Sequence, residues 1–264
     1  MRRPRRQPVH ALHLGGSDRR RDEARRLRDV LNSGLEHGRL WPDRLPDELE
    51  MATTHGASRN AIREAFALLV AEGRVERQVG SGSFSREVPP RYPFDRIVEG
   101  SSIDDDRSPL RSQRLLGFRT IESVPPGLRV TLGLPETCGR LAVFERVTAY
   151  GGVPTDLRTF LLPIPVGLLI DINACAADVY LYMEQVLGVV IDGGSRAVSA
   201  IAADPSSAAL LGVPELSPLL FMESRLYDPS GNIVLISYGR HSKDALTVTF
   251  RAERPTPHRR AAGE

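Results

Sequence analysis

The first third of the chain alternates between helical and strand spacing of its apolar residues. Residues 20–37 put Ala24, Leu27, Val30, Leu31 and Leu35 on one helix face, and Gly38 ends the run. A second helix opens at Pro46 and Asp47, where proline's missing N–H costs nothing and an acid suits the positive end of the helix dipole. Leu49 and Ala52 give it a short apolar face, and the run Thr53 to Gly56 breaks it. Ser58 is a natural N-cap for a third helix, which repeats Ile62, Ala65, Phe66 and Leu69 and stops at Gly73. Residues 75–85 then alternate and turn at Gly80-Ser81-Gly82, as a two-stranded hairpin does.

The texture changes after that. Residues 86–109 carry four prolines and the acidic run Asp104 to Asp106, without periodicity, and read as a linker. From residue 111 the pattern is strands with short helices between. Strands are expected at 114–124, 140–150, 156–162, 189–203, 216–227, 232–240 and 246–251, and helices at 125–134, 178–187 and 205–211. Gly151-Gly152 and Asp228-Pro229-Ser230-Gly231 are hairpin turns. An antiparallel sheet with helices packed on it follows, so the fold class is α+β. There is also an internal echo: helix, Leu-Gly-Leu-Pro and an acid-bearing strand at 126–145, then helix, Leu-Gly-Val-Pro and a similar strand at 205–223, which suggests a pseudo-symmetric domain.

Three residues fall off the apolar stripe of the third helix near its start: Arg59, Asn60 and Arg63. In a helix-turn-helix the N-terminal residues of the second helix reach base edges. Arginine grips guanine with two hydrogen bonds and asparagine does the same for adenine. Helices, turn and hairpin together resemble the winged helix of the GntR family of bacterial transcription regulators. The resemblance is carried by Leu45-Pro46-Asp47-Glu48, Ser58-Arg59, Arg63 and Gly80-Ser81-Gly82-Ser83-Phe84. It departs at Leu49, where an arginine is usual, at Asp47 for serine, and at Asn60 for a small residue. The resemblance implies binding to double-stranded operator DNA. Arg59, Asn60 and Arg63 then read bases, while Arg44, Ser58 and the tip Gly80, Ser81 and Gly82 hold the backbone or minor groove.

The second half resembles the UTRA effector domain of the HutC branch of that family, whose sheet is similar to that of chorismate lyase; fold likeness alone implies no catalysis. The resemblance implies a small-molecule effector, of unidentified structure, and a homodimer. The site residues it carries over are Arg146, Thr148, Arg158, Asp178, Tyr238, Arg240 and Ser242. Thr148 and Ser242 stand where arginines are usual, Arg158 for a glutamate, and Asp178 for a phosphate-holding serine. A phosphorylated sugar is therefore not the expected effector. The bland alternative is a structural ion-pair network of Arg146, Arg158 and Asp178.

The expected organisation is a basic disordered arm at 1–19, a winged helix at 20–86, a linker at 87–110, a UTRA domain at 111–256 and a tail at 257–264. A chain of 264 residues has room for two such domains. The net charge of +2 says little, but the first thirty residues are rich in arginine, and a basic arm is attracted to phosphate without reading sequence. No apolar run has membrane-spanning length and no hydrophobic segment follows the charged start, so a cytoplasmic protein is expected. Cys138 and Cys175 are read as free buried thiols. The six histidines show no metal-ligand spacing, and no cofactor loop or catalytic residue set is argued. Tyr180, Tyr182 and Met183 read as core or pocket wall. Two other functions stay open on these residues: a repressor without effector whose second domain only dimerises, and a chorismate-lyase-like enzyme with a DNA-binding head.

Overall fold

The computed structural model describes residues 16–36, 44–78, 80–85, 91–93, 110–243, 245 and 247–249. Most of the basic arm, most of the linker and the tail lie outside them. The chain divides into two compact units, residues 1–88 and 89–264.

The first unit holds α1 (Gly16–Glu36), α2 (Glu48–His55), α3 (Arg59–Ala71), β1 (Val75–Gln78) and β2 (Gly82–Ser85). Leu27, Leu31 and Leu35 of α1 meet Met51 and Ala52 of α2 and Ile62, Ala65, Phe66 and Leu69 of α3 in one core, with Leu45 and Val75. Each large buried aliphatic side chain here contributes about 1.5–3 kcal/mol. Val30 was expected on this face but is 58 % exposed. At 100° per residue it sits a quarter-turn or so off the line through Leu27 and Leu31, which the packing of α3 leaves outside.

Asp47 caps α2 by accepting from the N–H groups of Leu49 (2.8 Å) and Glu50 (2.9 Å). Gly56, at φ 59°, ends it in the left-handed region. Ser58 then caps α3 by accepting from Ala61 N–H at 3.2 Å. β1 and β2 pair antiparallel from Val75–Ser85 to Gln78–Gly82. The Leu45 N–H donates to Ser83 O at 2.8 Å, which ties the wing to the chain just before α2.

The second unit is built on a six-stranded, wholly antiparallel sheet: β4 (Arg111–Ile121), β5 (Arg140–Tyr150), β6 (Val153–Ile164), β7 (Gly193–Ala202), β8 (Pro218–Tyr227) and β9 (Ile233–His241), in the order β4-β5-β6-β9-β8-β7. The order is symmetric about the β6–β9 pair, as the internal echo suggested. Each half runs strand, helix, strand, hairpin, strand. The helices α4 (Pro126–Leu132) and α7 (Pro205–Leu211) are equal in length, start with proline and end at left-handed glycines, Gly133 and Gly212. They cover one face of the sheet, over cores that include Leu132, Leu141 and Ile236 in one half and Leu157, Ala208 and Leu211 in the other. The opposite face is covered by α5 (Ile172–Ala177) and α6 (Val179–Gln185), which join the halves and pack on Phe144, Phe160 and Leu162. Tyr180, Tyr182 and Met183 lie in that core. Cys138 and Cys175 are free and buried.

Three details differ from the sequence reading. The helix expected at 178–187 is α6, capped by an extended Asp178 (φ −149°, ψ 97°), but a separate helix, α5, precedes it where none was expected. Residues 91–93, assigned to the linker, form a strand, β3 (Arg91–Pro93). It pairs in parallel with β10 (Thr247–Thr249), so the last strand is not part of the main sheet. The strand expected at 114–124 starts and stops three residues earlier, since the chain bends at Glu122 and Ser123 before Pro125.

Candidate functional site

The buried face of α3 is Ala61, Ile62, Ala65, Phe66 and Leu69, which leaves Arg59, Asn60 and Arg63 exposed at its start. The Arg63 Nη2 donates to Asn60 Oδ1 at 2.8 Å, so the two side chains are held as one fork. Arg59 and Arg44 lie close enough to the α2 cap to act on it. The Asp47 carboxyl is held below its ordinary value, first by the Glu50 and Leu49 N–H groups, then by the charges of Arg59 and Arg44. Ser58 is the cap of α3, and its hydroxyl is engaged by Ala61 N–H.

The wing closes on the same region. A cleft of about 440 Å³ runs between the start of α2 and the wing, lined by Arg44, Asp47, Glu48, Arg77, Gly80 and Gly82 among others. Glu48 of α2 accepts from Arg77 of β1 at 3.3 Å, bridging helix and wing. Gly80 turns at φ 78° and Ser81 N–H donates to Gln78 O at 3.1 Å. Gly82 sits at φ 114°, and a Cβ there would come within 2.7 Å of Arg44 Nε, so glycine is what lets Arg44 lie against the wing. All eight expected DNA-contact positions thus fall at the start of α3, the wing tip and the segment before α2. Leu49 is 55 % exposed, an apolar side chain on the outside of α2.

In the second unit a cluster of buried polar groups sits on the α5/α6 face of the sheet. Arg146 and Arg158 are partners across β5 and β6, and Thr148 pairs with Asp156. Arg146 is 1 % exposed, Arg158 4 %, Asp156 5 % and His241 1 %. The Asp156 carboxylate lies 3.5 Å from Arg158 Nη2 and 3.1 Å from His241 Nδ1. Burial by itself pushes that carboxyl up. The charges of Arg158, His241, Arg146 and Arg111 outweigh it and hold the group below its ordinary range. Arg146 donates to the Ala176 carbonyl at the end of α5 and stacks its guanidinium 4.9 Å from the Phe160 ring; Arg158 lies 5.8 Å from the same ring. Gln113 of β4, with its amide turned to suit its neighbours, donates to Ala177 O (3.1 Å) and accepts from Arg146 (3.3 Å) and Arg111. A Cβ on Gly239 would come within 2.7 Å of His241 Nε2, so the glycine gives the imidazole its place. The Thr148 hydroxyl is buried here, with no hydrogen-bond partner among the described residues.

The carried-over residues do not all meet there. Gly239 is the partner of Arg158 across β6 and β9, which sends Tyr238 and Arg240 to the opposite face. On that face Tyr238 stacks with Phe221 (6.2 Å between rings) and Arg240 lies 5.6 Å from the Phe221 ring. Tyr238 and Arg240 are therefore separated by the sheet from Arg146 and Arg158. The supposed triad of Arg146, Arg158 and Asp178 is also different from what forms. Asp178 caps α6 through Leu181 N–H at 3.0 Å, and the carboxylate beside Arg158 is Asp156. Ser242 is buried, and its N–H donates to Thr155 O at 3.0 Å.

Residues 24–84 match the family model for "Bacterial regulatory proteins, gntR family", and residues 112–247, more than half of the chain, match the UTRA domain model. The chain belongs to the GntR family. It is a DNA-binding transcription regulator of the group that carries a UTRA domain. It is similar to the HTH-type transcriptional repressor NagR of Bacillus subtilis, at 23 % identity over 78 % of this chain and 84 % of that protein. It is also similar to the mannosyl-D-glycerate transport/metabolism system repressor MngR of Escherichia coli, at 24 % identity over 87 % of this chain and 95 % of that one. Among solved structures, PhnF of Mycobacterium smegmatis shares the fold with a TM-score of 0.56 and 24 % identity, over 86 % of this chain and 99 % of that one.

Sequence reasoning missed Asp156, His241, Gln113 and Arg111 in this GntR-family chain. A signal for Asp156 existed: it precedes Arg158 by two residues in a strand, and so shares its face. His241 and Gln113 come from strands distant in sequence, and only the sheet register brings them in.

Proposed function

We propose that this regulator is a repressor that binds a pseudo-palindromic operator as a homodimer and is released by a small molecule held at the Arg146–Asp156 cluster. The observation that carries the DNA half is the exposed fork of Asn60 and Arg63, beside Arg59, at the start of α3 and next to the wing. Arg59, Asn60 and Arg63 read bases in the major groove; Arg44, Ser58 and Gly80 to Gly82 contact the backbone or minor groove. The names of NagR and MngR as repressors support repression over activation. A bacterial cytoplasmic location follows from DNA binding, and among the described residues no helix is long and apolar enough to cross a membrane. The enzyme reading finds no support among the relatives.

The cluster's composition supports an effector that is neutral or singly charged, not a sugar phosphate. Asp156 already offsets part of the charge of Arg146 and Arg158, and Thr148, which pairs with Asp156, stands where the resemblance carries a further arginine. A dianion brought beside the buried Asp156 carboxylate is repelled by it, with one cation fewer in the cluster to offset that repulsion. The buried Thr148 hydroxyl offers a hydrogen bond to a polar ligand. Any effector changes operator affinity only by its difference in affinity between the DNA-binding and released states.

Selection from a pool of random duplexes tests the first half: enrichment of a two-fold-related motif supports the reading, and a pool that stays random overturns it. A thermal-shift series with hydroxylated monocarboxylates, neutral sugars and N-acetylglucosamine-6-phosphate tests the second. Micromolar binding of the phosphate compound overturns the effector class. A flat response to every compound favours a second domain that only dimerises.

A further inference from the structure

The two edges of the six-stranded sheet are β4 and β7, and they are built differently. β4 carries Arg111, Arg114 and Arg119, and its register with β5 shifts between Leu115 and Gly117. Charge and a bulge are the devices that keep one sheet edge from adding to another. β7 has little of either. Its ten residues, Gly-Gly-Ser-Arg-Ala-Val-Ser-Ala-Ile-Ala, pair with β8 without a break. Its one charged residue is Arg196, whose Nε and Nη1 atoms are buried. Most of the strand is exposed on both faces, Val198 to 38 %. No other described strand lies on its outer side. A long, straight, nearly uncharged edge offers a row of N–H and C=O groups as a template for another strand.

We propose that the outer edge of β7 pairs antiparallel with β7 of a second copy of this chain, joining the two sheets into one across a two-fold axis. The proposal rests on the homodimer reading above and names the surface that makes it. A two-fold contact brings a patch against itself, so the patch must be self-complementary. With the axis at Val198, Gly194 faces Ala202 and Arg196 faces Ala200 of the second copy, and no like charges meet. The small side chains on either side of Val198 allow the strands to approach. Pairing β7 with β4 of another copy is the competing arrangement. It would set the strand against three arginines and a bulge, and a head-to-tail contact of that kind propagates instead of closing.

The test is a cysteine scan of the full chain. Directly opposed residues of an antiparallel pair have Cβ atoms about 4.5–5.5 Å apart, close to the reach of a disulfide. The native Cys138 and Cys175 are buried and do not compete. Oxidised Val198→Cys is expected to run as a covalent dimer on a non-reducing gel, and Arg114→Cys on the β4 edge as a monomer. Val198→Lys combined with Ala200→Lys is expected to sediment as a monomer with an unchanged circular dichroism spectrum. If Ala197→Cys, Val198→Cys and Ser199→Cys all stay uncrosslinked while the unaltered chain sediments as a dimer, the surface is wrong and the homodimer reading survives. If Arg114→Cys crosslinks as readily as Val198→Cys, the edge assignment is also wrong. An unaltered chain that is monomeric while bound to a single operator overturns both.

Discussion

Replacing Arg63 by alanine separates reading of the operator from folding. Arg63 is exposed on α3 while the hydrophobic positions of the helix face the core, so its loss removes no packing from the first unit. Its one described partner is Asn60, at 2.8 Å. An exposed side-chain bond of this kind contributes about 0.5–1.5 kcal/mol at most to the free protein, and the melting temperature should barely move. The operator complex should lose more. A guanidinium making two bonds to a base discriminates by about 1–3 kcal/mol, which is roughly 5- to 150-fold in Kd. Fluorescence anisotropy on the selected operator measures this directly, with an unrelated duplex as control. The unrelated duplex should weaken much less, because phosphate attraction is shared among many cations. Asn60→Ala should cost a similar amount, and the double variant less than the sum, since the fork orients both side chains. Operator affinity unchanged by Arg63→Ala, or strictly additive costs for the two variants, would refute the reasoning that the fork acts as one reading element.

Gly82→Ala puts a Cβ within 2.7 Å of Arg44 Nε at a positive φ, and should weaken DNA binding more than Gly80→Ala, which meets no neighbour; anisotropy on both variants checks it. Asp47→Ala removes the cap of α2 and should lower the urea unfolding midpoint, while Asp47→Ser should restore most of it. The Asp156 carboxyl is held below its ordinary value of 3.8, so its contribution is fully present above that value and is lost as pH falls through the lower folded one. Asp156→Asn should flatten that part of the acid limb in urea titrations and cost about 3–5 kcal/mol near neutrality, by leaving Arg158 without its carboxylate partner; an acid limb identical to that of the unaltered chain would count against it. Burial pushes the Cys175 thiol up to about 12 and raises that of Cys138 as well, so neither should react with a thiol-specific dye at pH 8 until the chain unfolds.

The first unit was largely legible in the chain because its determinants are local. The spacing of Ile62, Ala65, Phe66 and Leu69, the caps at Asp47 and Ser58 and the positive-φ glycines at 56, 80 and 82 are each set within a few residues. Those features bring Arg59, Asn60 and Arg63 to one exposed helix start whatever else the chain does. The echo of two helix-strand halves was legible for the same reason, and the sheet order bears it out. The buried polar cluster of the second unit was not legible. Whether Arg158 stands beside Asp156 and His241 or beside Asp178 depends on which strands lie next to each other and in what register, and that is settled by burial of the whole sheet. A shift of one residue in β9 would have exchanged Gly239 for Tyr238 and carried His241 to the other face. The sequence by itself determined a DNA-reading head and the order of elements behind it; the tertiary structure alone decided which charges share a buried site, because pairing across a sheet is a contact between residues far apart along the chain.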